Sequence, residues 1–434
     1  MSQTPMGKAF SMLNNALDSP FAEKIGLRKK LNNAVYKLAY RGVSLVSNPP
    51  RIFKSTKSQE KPERLEGTKK SDLFDLNLTE EQEMVRETIA QFALSEIRPK
   101  AEKMSEAECI PDEIYAKFDE LGLAFYSIPE SLGGMLKEKT TVTQSIIAQE
   151  LAYGDLGVAL ALLSPIGVLN ALVSFGTAAQ QEKYIPAFTE EGKKLHATIA
   201  VNEHTVLFDP FKLSTKATKK GGSYVLNGIK SMVPIAAKSE IILVAADTEN
   251  GSQLFIVESN AKGLSIEKDT SMGLRPAELG RVTLNNVEVS EENLLGGGID
   301  YAEFINCVRL AWSSLATGTC KGVLDYVIDY CNNRVAFGEP ITNRQAVAFM
   351  IANIKIENDG MKMLTDRAAS RAEQGLDFGQ QAYLASVFCA EKSMEIGTNG
   401  VQLLGGHGFI RDYPVERWYR DLRAVAISYN GVHI

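Results

Sequence analysis

The spacing of apolar and polar residues divides the chain into a helical block, a block of short strands and a second helical block. The first helix opens on a capping box, Thr79 with Gln82 three residues later, and places Val85, Ile89, Phe92 and Ala93 on one face. Helical periodicity continues to about residue 194 and predicts helices over 140–153 and 178–186, with a turn at Leu132-Gly133-Gly134. The period changes near His196. Runs of β-type residues cover His196–Val201, Leu213–Lys219, Ser223–Leu226, Ile241–Ala246, Leu254–Glu258 and Arg281–Val289. Gly221-Gly222, Asn227-Gly228 and Asn250-Gly251 fall between runs and read as hairpin or turn signals. This is the pattern of a compact antiparallel β domain. After Gly296-Gly297-Gly298 the helical period returns and predicts long helices over 299–333, 342–374 and 379–404. Helices, then sheet, then helices imply an α+β protein. Its expected domains are an α-helical one over 76–194, a central β domain over 195–296 and a helical bundle over 297–434.

Residues 1–75 differ from this body. Segment 23–45 is basic and amphipathic, with Leu27, Leu31, Val35 and Leu38 at helical spacing among Lys24, Arg28, Lys29, Lys30, Lys37 and Arg41. It reads as a helix docked on the body with a solvated basic face. The functional alternative is an interfacial membrane helix or a partner-docking arm. Segment 48–71 is polar and rich in Pro and Lys, the composition of a linker.

Composition narrows the function classes. With 434 residues, 44% of them hydrophobic, the chain can bury a large core and form two or three domains. A net charge of −6 argues against a nucleic-acid footprint, which needs concentrated Lys and Arg. Cys109, Cys307, Cys320, Cys331 and Cys389 form no CxxC pair, and the four histidines show no metal-ligand spacing. A reducing compartment and no metal are expected. No apolar run is expected to approach the ~20 residues that span a bilayer. Asp18 and Glu23 interrupt any N-terminal signal pattern, so the expected location is cytoplasmic, with residues 23–45 as a peripheral membrane contact.

Four stretches together resemble the acyl-CoA dehydrogenase family. The first is Met272-Gly273-Leu274-Arg275, followed by Val287-Glu288-Val289 and Asn293-Leu294-Leu295-Gly296. The others are Arg334-Val335-Ala336-Phe337-Gly338, the Gln402–Phe409 turn, and Pro414-Val415-Glu416-Arg417 leading to Arg420-Asp421. The resemblance covers nearly all of the chain after about residue 75. It implies an N-terminal helical domain, a β domain and a C-terminal four-helix bundle. It also implies a homo-oligomer or an assembly with related subunits, FAD as cofactor and an acyl-CoA substrate. In the family a carboxylate removes the α proton of the thioester while the flavin accepts the β hydride. The thioester α proton is weakly acidic, so that chemistry needs a polarised carbonyl and a base held against it. By the same resemblance Arg334 and Phe337 would contact the FAD of a neighbouring subunit, Arg334 at the pyrophosphate. Gln402, Gly405 and Gly406 would accept its adenine end, and Arg309 would contact the CoA portion.

The positions nearest the flavin ring depart from the family. Its TEPxxGSD loop corresponds to Asn202-Glu203-His204-Thr205-Val206-Leu207-Phe208-Asp209, which keeps only Glu203 and Asp209. Asn202 could still hydrogen-bond the flavin. Asn227-Gly228-Ile229-Lys230 matches the family's NGxK, but the aromatic residue and the hydroxyl residue expected next are Met232 and Pro234. Proline offers neither a hydroxyl nor an N–H. Nine residues after Arg420, where a Glu is expected, stands Tyr429, followed by Asn430. An ordinary phenol is only ~0.1% ionised at neutral pH and is a poor base. The family's other position for the base, before Arg309, holds Val308. Three readings follow. The chain is a flavin-dependent dehydrogenase with an unusual base, a non-catalytic partner subunit that lends FAD contacts to a relative, or a flavin-free binding protein of the same fold.

Overall fold

In the computed structural model, residues 77–137, 140–190, 195–205 and 208–429 are described. The basic segment 23–45 and the linker lie outside them. Thr79 caps the first helix, α1 (Glu80–Phe92), with the reciprocal Gln82 bond of a capping box. Short helices α2 (Ala101–Ala107), α3 (Asp112–Asp119) and α4 (Leu123–Ser127) follow, then α5 (Thr141–Gly154), α6 (Leu156–Phe175) and α7 (Ala178–Tyr184).

Helix α6 corrects the expectation that no apolar run is long enough to cross a membrane. It is 20 residues long and holds an 18-residue stretch of mean hydropathy 2.1, long and apolar enough by composition, and 83% of that stretch is buried inside the protein. Such a helix is apolar all round because it is surrounded by protein. It starts at Asp155, whose side chain accepts the amide of Val158.

The sheet contains β1 (Ala197–Ala200), β2 (Lys216–Lys220), β3 (Ser223–Val233), β4 (Ile241–Thr248), β5 (Gly251–Glu258), β6 (Leu264–Lys268) and β7 (Gly280–Ser290). Its order is β1-β4-β2-β3-β7-β6, with β5 on β4. Most pairs are antiparallel, but β1 and β2 pair with β4 in parallel, so the sheet is mixed. Alternation explains its burial. Ile241, Leu243 and Ala245 of β4 face the helical core, while Ile242, Val244 and Ala246 face a second core between strands. Asn227-Gly228 proves not to be a turn. β3 runs through it to Val233, and the register with β7 shifts there as a bulge.

The C-terminal helices are α8 (Tyr301–Asn333), α9 (Gln345–Glu373), α10 (Gly379–Leu404) and α11 (Val415–Leu422), with a hairpin β8 (Val335–Ala336) and β9 (Glu339–Pro340) after α8. Helices α5 and α8 meet at Gly318, where a Cβ would overlap the carbonyl oxygen of Gln149. Gly318→Ala must therefore push the two helix backbones apart. A loss of about 1–3 kcal/mol is expected in urea unfolding, and an unchanged midpoint would show that this crossing can relax.

Candidate functional site

Two of the sequence motifs turn out to hold each other. Arg420 donates from Nη1 to the carbonyl of Met272 (3.1 Å), and Asp421 accepts the amide of Leu274 (2.6 Å). Leu274 has a left-handed backbone (φ 56°), and a Cβ on Gly273 would lie 2.5 Å from the carbonyl of Arg420. The Met272–Arg275 turn thus lies flat on α11. Beside it, Arg417 donates to Asp155 at 3.0 Å, with both side chains buried. Asp421 is also buried, and one of its oxygens has no partner. Burial, reinforced by the nearby Asp155, pushes its carboxyl up to about 7. This polar cluster fixes the base of the segment that leads to Tyr429.

A second buried pair anchors the loop after β1. Lys230, from the bulged β3, donates to Glu203 (2.5 Å) and to the carbonyl of Val201 (3.0 Å), and Glu203 also accepts the amide of Thr215 (3.3 Å). Burial pulls Lys230 down to about 8, while the Glu203 carboxylate opposes the shift. The retained Glu of the loop and the retained Lys of the NGxK motif therefore form one structural unit.

The structure brings Asn202 and Tyr429 together across the sequence. The Asn202 carboxamide oxygen accepts the Tyr429 amide at 2.7 Å, and its nitrogen donates to the carbonyl of Ile427 at 3.4 Å. The ring of Tyr429 meets that of Phe208 edge to face, with centroids 5.8 Å apart. Among the described residues no carboxylate is hydrogen-bonded to the Tyr429 phenol.

Met232 and Pro234 lie where β3 ends. Met232 takes a left-handed φ of 53°, and its amide donates to Asp269 at 2.9 Å. Asp269 also accepts from the Ser231 hydroxyl and from Arg281 (3.2 Å). The next amide after Pro234, that of Ile235, is bonded to the carbonyl of Ala277 at 2.8 Å. Asp269 was not singled out from the sequence. An isolated acid in a loop gives no pattern to find it by.

Arg309 projects from α8 between two rings, 5.7 Å from the centroid of Phe211 and 5.2 Å from that of Tyr383 on α10. Its Nη1 donates to Asn306 (3.0 Å), while its Nε is buried without a partner. Neither aromatic neighbour was legible before the fold.

The remaining positions gather at one end of the C-terminal helices. Tyr330 of α8 bonds His407 at 2.8 Å, and the amide of Arg334 caps the same turn of α8 through the carbonyl of Tyr330. Arg334 is exposed and makes no ion pair among the described residues. Phe337 is 96% exposed at φ 56°, and Phe409 is 87% exposed. Gln402 is exposed, and a Cβ placed on Gly405 or Gly406 would meet no atom within 4 Å. Nothing among the described residues links this end to Asn202 by a direct bond. Among them, too, no group of three or more His, Cys, Asp or Glu could hold a metal.

These observations test the chain against FAD in two halves. The end with Arg334 and the open Gly405-Gly406 backbone fits a nucleotide: a guanidinium available for phosphate and room for close approach. The end near Asn202 does not fit an isoalloxazine held by polar donors. Asn202 is engaged by the main chain of 427–429, the Met232 amide is engaged by Asp269, and Pro234 has none.

The comparisons agree on one family. Residues 79–191, 198–287 and 296–431 match the N-terminal, middle and C-terminal domains of acyl-CoA dehydrogenase. An acyl-CoA dehydrogenase of Bacillus subtilis (strain 168) is 31% identical over 368 residues, covering 82% of this chain and 96% of that protein. A 3-(aryl)acrylate reductase of Clostridium sporogenes is 30% identical, covering 81% of this chain and 95% of that protein. The solved butyryl-CoA dehydrogenase from Megasphaera elsdenii superposes with a TM-score of 0.75 at 26% identity, covering 83% of this chain and 96% of that one. All three domains are present in order, which implies FAD as the cofactor, and the chain belongs to the acyl-CoA dehydrogenase family.

Proposed function

We propose that this chain is a subunit of an oligomeric acyl-CoA dehydrogenase in which it completes the nucleotide half of a neighbouring subunit's FAD site, while its own ring half holds no flavin. The observation that carries this reading is the double engagement of Asn202 by the Ile427–Tyr429 main chain beside the donorless Pro234. The same reading accounts for a phenol at Tyr429, because a half-site without flavin needs no base. An assembly is supported by the surface. Phe349, Ile356 and Met363 recur every seven residues along α9 and are 59%, 66% and 55% exposed. That spacing makes one apolar stripe of the kind that seats against another helix. The substrate class consistent with the family is an acyl-CoA thioester, oxidised at the complete sites of the assembly.

The test is Arg334→Ala in the assembled oligomer. Loss of a charge-assisted phosphate bond, about 1.5–3 kcal/mol, should lower FAD affinity roughly ten- to hundred-fold, read as bound flavin after gel filtration. Unchanged occupancy would remove Arg334 from the cofactor site.

A further inference from the structure

Beyond α11 and the turn Arg423–Ala426, the chain continues as Ile427, Ser428 and Tyr429. Helix α11 is fastened by the buried Arg417–Asp155 pair and by Asp421 on the Leu274 amide. The three residues after the turn are held differently. Apart from the Ile427 amide, which closes on Ala424 of that turn, the hydrogen bonds of 427–429 among the described residues both end on one side chain, the carboxamide of Asn202. Tyr429 adds the ring contact with Phe208.

Asn202 itself sits on a fixed platform. Its carbonyl accepts the Ser231 amide at 3.1 Å, and the next residue, Glu203, is locked to Lys230. With 427–429 in place Asn202 is 3% exposed, while Ile427, where the chain leaves the turn, is 45% exposed. A rigid latch thus holds a lightly attached strap.

The bonding pattern of the latch shows what the strap imitates. A carboxamide offers an acceptor oxygen and N–H donors. Here the oxygen takes the N–H of Tyr429 at 2.7 Å and the nitrogen gives to the C=O of Ile427 at 3.4 Å. A cyclic imide or lactam presents the same pair, an N–H beside a C=O, on the rim of a planar ring. We propose that residues 427–429 are an autoinhibitory strap, which occupies the imide-reading edge of Asn202 and must leave before a planar ligand enters the ring half. The inference rests on the reading that this ring half holds no flavin, and it gives that reading a reversible cause. A closed strap lowers the apparent affinity of any ring-half ligand by the fraction of molecules in which it is open.

The test uses the full chain and lumiflavin, a flavin ring with an imide edge and no nucleotide, so that the Arg334 end does not contribute. Tyr429→Pro deletes the donor of the 2.7 Å bond and leaves Asn202 in place. By fluorescence quenching it should bind lumiflavin at least about ten-fold more tightly than the parent, the weight of roughly one hydrogen bond. N3-methyllumiflavin, whose imide N–H is blocked, should show no such gain. Asn202→Leu removes the latch from the other side. In this variant the Tyr429 amide should exchange its hydrogen at least about ten-fold faster than in the parent. Equal lumiflavin affinity in the parent and Tyr429→Pro, an equal gain with the methylated ring, or equal exchange of the Tyr429 amide in the parent and Asn202→Leu would each overturn the strap. The exchange comparison does not depend on the folding of Tyr429→Pro. One FAD bound per parent chain would instead overturn the reading beneath it, which separates the two failures.

Discussion

Replacing Arg417 with methionine is expected to destabilise the protein by about 3–5 kcal/mol, the usual loss when one member of a buried ion pair is removed. Arg417 is the cation between two buried acids, Asp155 and Asp421. Without it Asp155 keeps the Val158 amide but loses its buried cation, while Asp421 keeps the Leu274 amide and the more distant Arg420. The loss should be smaller at pH 5 than at pH 8, because the Asp421 carboxyl, raised by burial, can then take up a proton. Urea unfolding at the two pH values reads this directly. A uniform small loss would mean that the cluster is open to water.

Asp421 supplies a control of opposite sign. Its carboxyl is raised to about 7 in the folded state, against about 3.9 in an unfolded chain. Between these values the folded state holds a proton that the unfolded state has lost, so this group's contribution falls as pH rises from about 4 to 7 and is flat above. Asp421→Asn keeps an acceptor for Leu274 and removes the titration. The variant should therefore gain stability relative to the parent as pH rises through that window. A parallel pH profile for the two proteins would refute the assignment.

The second large effect concerns the ring half of the site. Pro234→Thr combined with Asn202→Thr is expected to raise the flavin affinity of the chain. The first change returns an amide and a hydroxyl at the end of β3, and the second releases the 427–429 main chain from the carboxamide. Two new hydrogen bonds at about 1 kcal/mol each correspond to roughly thirty-fold in affinity. Fluorescence quenching of added FAD measures it. No gain in a variant that unfolds at the parent's midpoint would mean that the ring half is blocked by more than these two residues. The Phe208–Tyr429 ring pair, which covers the same region, is the next obstruction to remove.

Much of this architecture could be read before the fold was known. The capping box at Thr79 begins α1, and the long helical periods become α8, α9 and α10, because each carries strong periodicity and clear end signals. Two errors have one origin, a local signal overridden by its surroundings. Helix α6 is apolar on every side because other elements enclose it. Asn227-Gly228 has turn chemistry but is spent on a bulge that aims Lys230 at Glu203. At the site, the residue changes at 202, 232, 234 and 429 were legible as departures. Their consequence was not, because the bond from Asn202 to Tyr429 joins positions 227 residues apart. The partners Asp269, Phe211 and Tyr383 likewise became visible only when chain segments met.

The motifs around α11 acquire a role that sequence reasoning had not given them. Arg420 and Asp421 hold the Met272–Leu274 turn, and Arg417 ties α11 to the start of α6. The segment carrying Tyr429 thus leaves a rigid base. That rigidity makes the Asn202 clamp a defined feature of the fold.

Flavin stoichiometry is the most direct measurement of the division between the two half-sites. The chain purified alone, and the chain co-expressed with a family member that has the usual acid and ring donors, are denatured and their released FAD is quantified per polypeptide. The account predicts almost no FAD in the first sample and about one FAD for every two chains in the second. One FAD per chain in the protein purified alone would contradict it.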